Sequence, residues 1–247
     1  MVEFLILEQS PPKHAPGKIK VIVDPGLWNK YLDQLCKLRG KVYVDEGLYS
    51  KEILSKEGRF EEKWDPVSMH TIAIDNGRVI GGLRVSILSE NGRYFDGETE
   101  YFLKKLNLKR HLRALDVMLD DFTKRKRKVI EISRLVVAEE YRRFRNVKSK
   151  VGAGLFTMTY SYFFQEGVNE VIIIQGNKYK TGRIYEKMGF TKVQDVDKKT
   201  PLEPFYEFND NCTFMHFDPS QPSAILKKFI EGMRQTYLNS TIIVKQG

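Results

Sequence analysis

A strand–helix–strand–helix succession in the second half of the sequence constrains the fold more than any other feature. Residues 128–137, KVIEISRLVV, are rich in β-branched side chains, which predicts a buried strand. A helix is predicted over residues 150–167, with Gly167 ending it, followed by a buried strand over 169–175 and a helix over 181–190. Strands that alternate with helices indicate an α/β fold in which helices cover a central sheet.

The first half of the sequence adds a helix and a hairpin to this pattern. Apolar side chains recur at three to four positions over residues 27–42, which predicts an amphipathic helix. Asn76-Gly77 is a strong turn signal between strand-like segments 70–75 and 78–88, and it predicts an antiparallel hairpin. The remaining predicted elements are one or two helices over 99–121, strands near 191–196 and 212–217, and a C-terminal helix within 223–238.

Together these elements predict a mixed, mostly antiparallel central sheet flanked by helices. The chain has 247 residues, 41% of them hydrophobic, which suits a single domain over residues 1–247. Residues 1–25 are expected to form an N-terminal strand with an irregular segment. Residues 220–247 are expected to form a helical extension, and its role, in covering a channel or in dimerisation, stays open.

Composition argues against membrane-spanning, secreted and metal-binding proteins. No stretch approaches the ~20 apolar residues that cross a bilayer, and no basic region precedes the short apolar stretch at the N-terminus. We therefore expect a soluble, cytoplasmic protein. Cys36 and Cys212 are expected to be reduced thiols. The four histidines show no metal-ligand spacing with these cysteines, so no metal site is predicted.

Positive charge is concentrated in one segment. The net charge is +9, and residues 124–150 hold eleven Lys or Arg against three Glu, which gives 11 − 3 = +8. Such a cluster attracts a polyanion: a nucleic acid, a phosphorylated cofactor or an acidic protein. A solvated face without a partner is the alternative interpretation.

The turn before the predicted helix at 150–167 suits a bound phosphate. The first N–H groups of a helix lack intrahelical partners and favour an anion. Gly152 and Gly154 have no Cβ, so the backbone can approach a ligand closely. A phosphate-bearing ligand is therefore predicted at residues 145–154. The motifs of P-loop nucleotidases, dinucleotide-binding folds and nucleophile-elbow hydrolases are absent from the sequence.

The segment RIYEKMGF, residues 183–190, closes the strand–turn–helix–strand–helix order and resembles the Gcn5-related N-acetyltransferase (GNAT) fold. In that fold the turn holds the pyrophosphate of coenzyme A. Gly152 and Gly154 match the family's turn, whereas Ser149 stands where Arg or Gln is expected. This departure is tolerable for a donor with a single phosphate, such as acyl carrier protein.

Three segments of the first 137 residues, LRGKVYVDEGLY, WDPVSMHTIAIDNGRVIGGLRV and EISRLVV, are similar to acyl-homoserine lactone synthases and their relatives, the N-acyl amino acid synthases. The resemblance covers roughly residues 35–190. Tyr49 stands where the lactone synthases have Trp, and Ser68 replaces their second Asp, which favours the amino acid synthases. The matching positions are Arg39, Tyr43, Glu46, Asp65, Ser68, Arg84, Glu131, Ser133 and Arg134.

The resemblance implies an N-acyltransferase that moves a long fatty acyl chain from acyl carrier protein to the amine of an amino acid or similar small metabolite. It implies no tightly bound cofactor, only an acyl-phosphopantetheine donor, as acyl carrier protein or acyl-coenzyme A. Glu131 would accept the amine proton through water, and Tyr185 would protonate the leaving thiolate. A bulge near residues 135–137 would expose a backbone N–H that polarises the thioester carbonyl.

The other candidate residues fall into three groups. Arg39, Arg84 and Arg134 either bind the acceptor's carboxylate or form internal salt bridges, and Glu131 has the alternative role of a structural partner of Arg134 or Arg84. Residues expected to bind the pantetheine or its phosphate are Val136, Val137, Arg145, Lys150, Val151, Gly152, Ala153 and Gly154. Residues expected to dock the acidic carrier protein are Lys124, Arg125, Arg127, Arg142, Arg143 and Lys148.

Two other functions compete with this interpretation. One is an acetyl-coenzyme A-dependent acetyltransferase of a small amine, in the same fold. The other is a nucleic-acid-binding protein built around the basic segment, although the segment lacks the interleaved aromatics and the motifs of such proteins.

Overall fold

A computed structural model describes residues 2–9, 21–142, 151–165, 167–176, 182–197, 200–207, 209–224 and 226–228. The described residues form two compact units. The first unit contains those up to Val85 and from Arg134 to Gln165, and the second those from Ser86 to Ser133 and from Gly167 to Lys228. No helix in these parts of the chain is long and apolar enough to span a membrane.

Ten strands and five helices make up the described structure. In chain order they are β1 (Glu3–Leu7), β2 (Val21–Ile22), α1 (Pro25–Asp45), β3 (Met69–Asp75), β4 (Arg78–Glu90), β5 (Arg93–Tyr94), α2 (Glu98–Lys105), α3 (Lys109–Lys124), β6 (Val129–Val137), α4 (Val151–Gln165), β7 (Glu170–Gly176), α5 (Gly182–Met188), β8 (Thr191–Lys192), β9 (Phe205–Glu207) and β10 (Asp210–Phe217). Short 3₁₀ turns cover Lys51–Ile53, Asp65–Val67 and Glu139–Tyr141.

The sheet of the first unit has the order β2-β1-β3-β4-β6. Strand β1 pairs parallel with β2 and antiparallel with β3, and β3 pairs antiparallel with β4. The β3–β4 hairpin turns at Asn76 and Gly77, both with positive φ, as a tight hairpin turn requires. The predicted hairpin is therefore confirmed.

Helix α1 covers this sheet because its sequence supplies both a start signal and an apolar face. The side chain of Asp24 accepts a hydrogen bond from the Leu27 N–H at 2.7 Å, and Pro25 occupies the first turn, where its missing N–H costs nothing. The inner face packs into a core formed by Leu5, Leu7, Ile22, Trp28, Leu32, Leu35, Cys36, Ile72, Ile74, Val79 and Val136. Arg39 lies on the same buried face, so the fold inserts a charge into its own core.

The second unit is also a mixed sheet with helices against it. Strand β6 pairs parallel with β7, whereas β10 pairs antiparallel with β7, β8 and β9. Side chains of α3, such as Leu115 and Leu119, join Val129, Ile172 and Phe214 in its core. Antiparallel pairs predominate in both units, so the predicted mixed, mostly antiparallel α/β architecture is confirmed.

The elements depart from the sequence predictions at a few places. The one or two helices predicted over 99–121 are two, α2 and α3, in agreement with the prediction, and the Asn107 backbone turns between them at φ +54°. The strand predicted near 191–196 is only Thr191–Lys192, followed by an isolated bridge between Gln194 and Pro201. Strands β2, β5 and β9 were not foreseen, since segments of two or three residues carry no periodicity. The C-terminal helix predicted within 223–238 lies largely outside the described residues.

Candidate active site

Three arginines that the sequence singled out converge on two acids in the first unit. The Arg39 Nη1 atom donates to both carboxylate oxygens of Asp65, at 2.8 and 2.9 Å. Arg84 Nη1 lies 3.1 Å from Asp65 Oδ1 and 3.1 Å from Glu62 Oε2. Arg134 donates two hydrogen bonds to the Glu62 carboxylate, from Nε at 2.7 Å and from Nη2 at 2.6 Å. We call these five residues the arginine cluster.

The charged side chains of the arginine cluster are buried, so they interact with little screening by water. The side chains of Arg39, Arg84 and Asp65 have 0% exposure, and those of Arg134 and Glu62 have 6% and 14%. Burial alone would raise the pKa of Asp65, but the guanidinium groups of Arg39 and Arg84 outweigh it and lower this pKa to about 2. The buried ion pairs described here thus join three guanidinium groups to two carboxylates.

Aromatic rings enclose the arginine cluster. Tyr43, Tyr49 and Phe60 pack against one another with centroids 4.8 to 5.7 Å apart. The Arg134 guanidinium lies over Tyr49 and Phe60, at 5.8 and 5.2 Å, and donates to the Tyr49 hydroxyl at 3.1 Å. Burial raises the pKa of Tyr49, so its hydroxyl is protonated. Arg84 lies over the Trp64 ring at 5.6 Å. Stacked rings fix the arginines in place and exclude water from the ion pairs.

Two buried neutral groups complete the surroundings of Asp65. His70 lies within hydrogen-bond distance of the Asp65 backbone carbonyl, its Nε2 2.9 Å away, and burial lowers its pKa to about 4, so the imidazole is neutral and Nε2 carries the proton. Burial raises the pKa of Cys36 to about 11, which keeps its thiol protonated. Neither group is a nucleophile or a charge carrier near neutral pH. Both are uncharged groups that pack around Asp65.

The backbone of strand β6 is distorted at Arg134. The β6–β7 ladder ends at Glu131↔Ile172, whereas β6 itself continues to Val137. Arg134 has φ +57°, a left-handed conformation that costs energy for a residue with a Cβ. The two hydrogen bonds to Glu62 and the stacked rings hold this strained backbone. The distortion directly precedes residues 135–137, where a bulge and an exposed N–H were predicted.

Glu131 has a helix cap as its partner in the second unit. Its carboxylate accepts the N–H groups of Glu98 at 2.9 Å and Thr99 at 2.7 Å, and it also accepts the Thr99 hydroxyl. These donors belong to the first turn of α2, which is where a carboxylate stabilises a helix most. Glu131 is 2% exposed. The sequence analysis considered only arginines as its structural partners and did not foresee this cap.

The remaining substrate-binding candidates surround these contacts at different depths. Ser68 is buried and follows the 3₁₀ turn that carries Asp65, whereas Ser133 is half-buried on β6. Glu46, just after α1, pairs with Arg142, whose Nε also donates to the Val137 carbonyl at 2.6 Å. Arg142 was expected to dock a carrier protein, and the structure shows that it also ties the end of β6 to α1.

The two turn glycines have different structural reasons. A Cβ on Gly154 would lie 2.2 Å from the Phe4 ring, so this glycine lets α4 pack against β1. A Cβ on Gly152 would meet only the Val137 methyl at 3.8 Å. Packing therefore leaves Gly152 unexplained, whereas it explains Gly154. Val136 and Val151 are buried and Val137 and Ala153 half-buried. Arg143, Arg145, Lys148 and Lys150 lie outside the described residues.

Local acids neutralise part of the basic segment. Lys124 pairs with Asp120 at 2.5 Å and Arg125 with Asp121 at 2.9 Å, in both cases one helical turn apart on α3. Arg127 lies 3.9 Å from the buried Glu170 carboxylate. Lys124 and Arg125 nonetheless remain 73% and 63% exposed, so they can meet an acidic surface.

Tyr185 lies on α5 in the second unit. Its ring packs edge-on against Phe190, with centroids 5.4 Å apart, and burial raises the pKa of its hydroxyl. A raised pKa suits a proton donor, because the hydroxyl stays protonated at neutral pH.

A groove of about 600 Å³ in the first unit is lined by α1, by the start of β4 and by residues 138–142. Its apolar floor consists of Leu38, Val42, Val79 and Ala138. Its rim carries lysines and arginines alongside acids, including the pairs Lys41–Asp45 and Arg78–Glu140. The lining ends at Arg142, directly before the segment where the phosphate site was predicted.

Glu62 is the functional candidate that the sequence analysis missed. It lies between α1 and β3, and no periodicity marks it in the sequence. The signal was its spacing, three residues before Asp65, which brings two carboxylates to one group of arginines. The second acid of the cluster therefore precedes Asp65, whereas the sequence comparison had looked for it at Ser68.

Comparison with known proteins identifies the family. The sequence profile described as "N-acyl amino acid synthase FeeM" matches residues 34–205, well over half of the chain. The chain belongs to this family. It is therefore an N-acyltransferase, an enzyme that transfers an acyl group to an amine, and the prediction made from the resemblance is confirmed at this level. No curated protein matches the sequence.

Solved structures show the same fold at low sequence identity. FeeM, an N-acyl amino acid synthase from uncultured soil microbes, is 12% identical with a TM-score of 0.55, over 92% of this chain and 99% of that one. The acyl-homoserine lactone synthase LasI is 11% identical with a TM-score of 0.56, over 100% and 98%. BjaI, a CoA-dependent acyl-homoserine lactone synthase with SAM and isopentyl-CoA, is 17% identical with a TM-score of 0.57, over 91% and 90%.

Proposed function

We propose that this N-acyl amino acid synthase family member transfers a long fatty acyl chain from acyl carrier protein to the amine of an amino acid or similar small metabolite. The observation that carries the proposal is the arginine cluster. It lies within the family match and holds three buried guanidinium groups against two carboxylates. Buried guanidinium groups bind anions through charge-assisted hydrogen bonds, so an anionic group of the substrate is favoured there.

An amino acid acceptor supplies such an anion next to its reacting amine. Guanidinium groups bind carboxylates through paired hydrogen bonds, and Arg134 is the least deeply buried of the three. Arg39 and Arg84, both fully buried, would set the local field and hold Asp65. Tyr43 and Tyr49 would flank the acceptor beside Arg134.

The reaction requires three protein groups in defined roles. The acceptor nitrogen attacks the thioester carbonyl, the C–S bond breaks, and the thiolate leaves. Glu131 would take the amine proton through water, and backbone N–H groups of residues 135–137, beyond the left-handed Arg134, would stabilise the oxyanion. Tyr185, kept protonated by burial, would supply a proton to the thiolate.

The donor is assigned to acyl carrier protein on the basis of charge. Lys124 and Arg125 present exposed cations, and the segment up to residue 150 adds more basic residues by sequence. Basic surfaces accelerate the docking of acidic partners. A Cβ on Gly152 would fit beside its neighbours, so packing does not explain this glycine. The missing Cβ would instead let the α4 backbone approach the pantetheine phosphate. Acyl-coenzyme A is the second candidate, because the structurally similar BjaI is described as CoA-dependent.

The test is mass spectrometry of lipid extracts from a bacterial host that expresses the chain. We expect a new N-acylated amino acid, whose mass identifies both acceptor and acyl chain. Glu131→Gln should abolish the product. No new lipid, together with tight binding of acetyl-coenzyme A by the purified protein, would contradict the proposal in favour of a short-chain acetyltransferase.

A matched variant separates catalysis by Glu131 from its capping role. Thr99→Val removes one hydrogen bond to the Glu131 carboxylate while keeping the charge and nearly the same side-chain shape. If Glu131 is the base, Thr99→Val retains product while Glu131→Gln loses it at equal protein level and unchanged circular dichroism. Equal losses in the two variants would reduce Glu131 to a structural cap.

A further inference from the structure

A second set of reactive side chains lies in the second unit, on strands that the proposed reaction does not use. His216 on β10 lies between Glu170 on β7 and Thr191 on β8. The His216 Nδ1 atom is 2.8 Å from Glu170 Oε1, and its Nε2 atom is 3.0 Å from Thr191 Oγ1. A hydroxyl, an imidazole and a carboxylate thus form one continuous hydrogen-bonded chain.

Strand register explains how the three side chains align. His216 lies opposite Ile172 on β7 and opposite Thr191 on β8. Glu170 is two residues from Ile172, and residues two apart on a strand face the same side of the sheet. Side chains opposite or diagonal across neighbouring strands are within reach of one another. The alignment is therefore built into regular sheet geometry rather than into loops.

The charges of the neighbours determine the direction of the chain of hydrogen bonds. The Glu170 side chain is 4% exposed, and the guanidinium of Arg127 lies 3.9 Å from its carboxylate. Carboxylate oxygens accept hydrogen bonds, so the tautomer of His216 that matches this contact carries its proton on Nδ1 and donates to Glu170. The Nε2 lone pair then accepts the Thr191 hydroxyl hydrogen. Imidazole held in this tautomer is the arrangement that activates a hydroxyl as a nucleophile.

We propose that Thr191 is a nucleophilic hydroxyl that takes an acyl group from thioesters and activated esters. The Thr191 Oγ atom attacks the acyl carbonyl, its proton passes to His216 Nε2, and the C–S or C–O bond of the donor breaks to release thiolate or alkoxide. The product is a Thr191 ester, and water can later hydrolyse it. Because Thr191 is exposed on the short strand β8, donors with small, accessible acyl groups are its substrate class.

The test uses p-nitrophenyl acetate and the purified full-length chain. We expect acetylation of the peptide that contains Thr191, seen by mass spectrometry after proteolysis, with release of coloured p-nitrophenolate. Thr191→Val should abolish this adduct, and His216→Gln should slow its formation at least tenfold. Thr200→Val, at another exposed threonine, should leave adduct formation at Thr191 unchanged.

Two outcomes would overturn the proposal. One is the absence of acetyl groups at Thr191 in the wild-type protein under conditions that acetylate surface lysines. The other is an adduct at Thr191 that forms at the wild-type rate in folded His216→Gln protein, which would mean that the imidazole does not activate the hydroxyl. Circular dichroism and thermal melting of each variant establish that the sheet is intact. N-Acyltransfer to amines is measured separately, so the proposed function stands or falls on other data.

Discussion

Replacing Asp65 with Asn should destabilise the fold more than any other single charge-neutralising substitution within the arginine cluster. The carboxylate accepts two hydrogen bonds from Arg39, one from Arg84 and one from the Glu62 N–H at 2.8 Å. Asn keeps the shape but removes the charge that holds two fully buried guanidinium groups. Removing one partner of a buried ion pair costs about 3–5 kcal/mol, because the other charge stays buried and uncompensated.

The pKa of Asp65 gives an independent, order-of-magnitude estimate of this loss. Its decrease from 3.8 to about 2 corresponds to roughly 2 kcal/mol of preference for the charged form in the folded state. Urea unfolding followed by circular dichroism measures the effect, and we expect the midpoint to fall by about 1–2 M. Asp45→Asn, at an exposed residue at the end of α1 that pairs with Lys41, is the control and should leave the midpoint within error.

A double variant tests whether the cost is electrostatic. Combining Arg39→Met with Asp65→Asn removes one of the two guanidinium groups that Asp65 binds. The decrease in unfolding free energy should therefore be smaller than the sum of the two single decreases by about 1–3 kcal/mol. The account is refuted if Asp65→Asn lowers the unfolding free energy by less than ~1 kcal/mol, or if the two losses are additive. Either result would mean that water or other groups solvate the cluster.

Three further predictions concern other parts of the structure. Between pH 6.5 and pH 4 the unfolded chain binds a proton on His70 that the folded chain excludes. The free energy of unfolding, measured by urea titration, should therefore decrease by up to about 3 kcal/mol as the pH falls over this range, and His70→Gln should abolish this pH dependence. Gly154→Ala should cost about 1–3 kcal/mol through overpacking against β1, whereas Gly152→Ala should keep the melting temperature and raise the KM for the acyl donor; equal melting temperatures would contradict the packing argument. Reversing the charges of Lys124 and Arg125 should raise the KM for acyl carrier protein at low salt and not at high salt, and an unchanged KM would place the docking surface elsewhere.

Sequence periodicity and turn chemistry identified most of the elements. Helix α1 carries its apolar stripe, an Asp N-cap and a proline at its start, and the β3–β4 hairpin carries Asn-Gly, so each follows from local residues alone. Strands β2, β5 and β9 have two or three residues and exist because a neighbouring strand offers hydrogen bonds. Such elements depend on tertiary context, which no short window of sequence contains.

The candidate site likewise combines contacts that the sequence indicated with contacts that depend on tertiary context. Arg39, Asp65, Arg84 and Arg134 were selected by the resemblance to known synthases, and the structure brings all four into the arginine cluster. The contact between Glu131 and the start of α2 joins residues more than 30 positions apart and was invisible in the sequence. Gly154 resembled a ligand-binding glycine, yet its packing against Phe4 explains it fully. Close packing and ligand binding leave the same glycine in a sequence, and only coordinates separate them.

The central claim is transfer of a fatty acyl group from acyl carrier protein to an amino acid. The most direct measurement supplies the purified chain with long-chain acyl carrier protein, or with acyl-coenzyme A of the same chain length, together with a mixture of the twenty amino acids, and follows N-acyl product by mass spectrometry. We predict one predominant N-acyl amino acid and a higher kcat/KM with the carrier protein. A higher kcat/KM with acyl-coenzyme A would contradict the assigned donor, and the absence of N-acyl amino acid with either donor would contradict the proposed function itself.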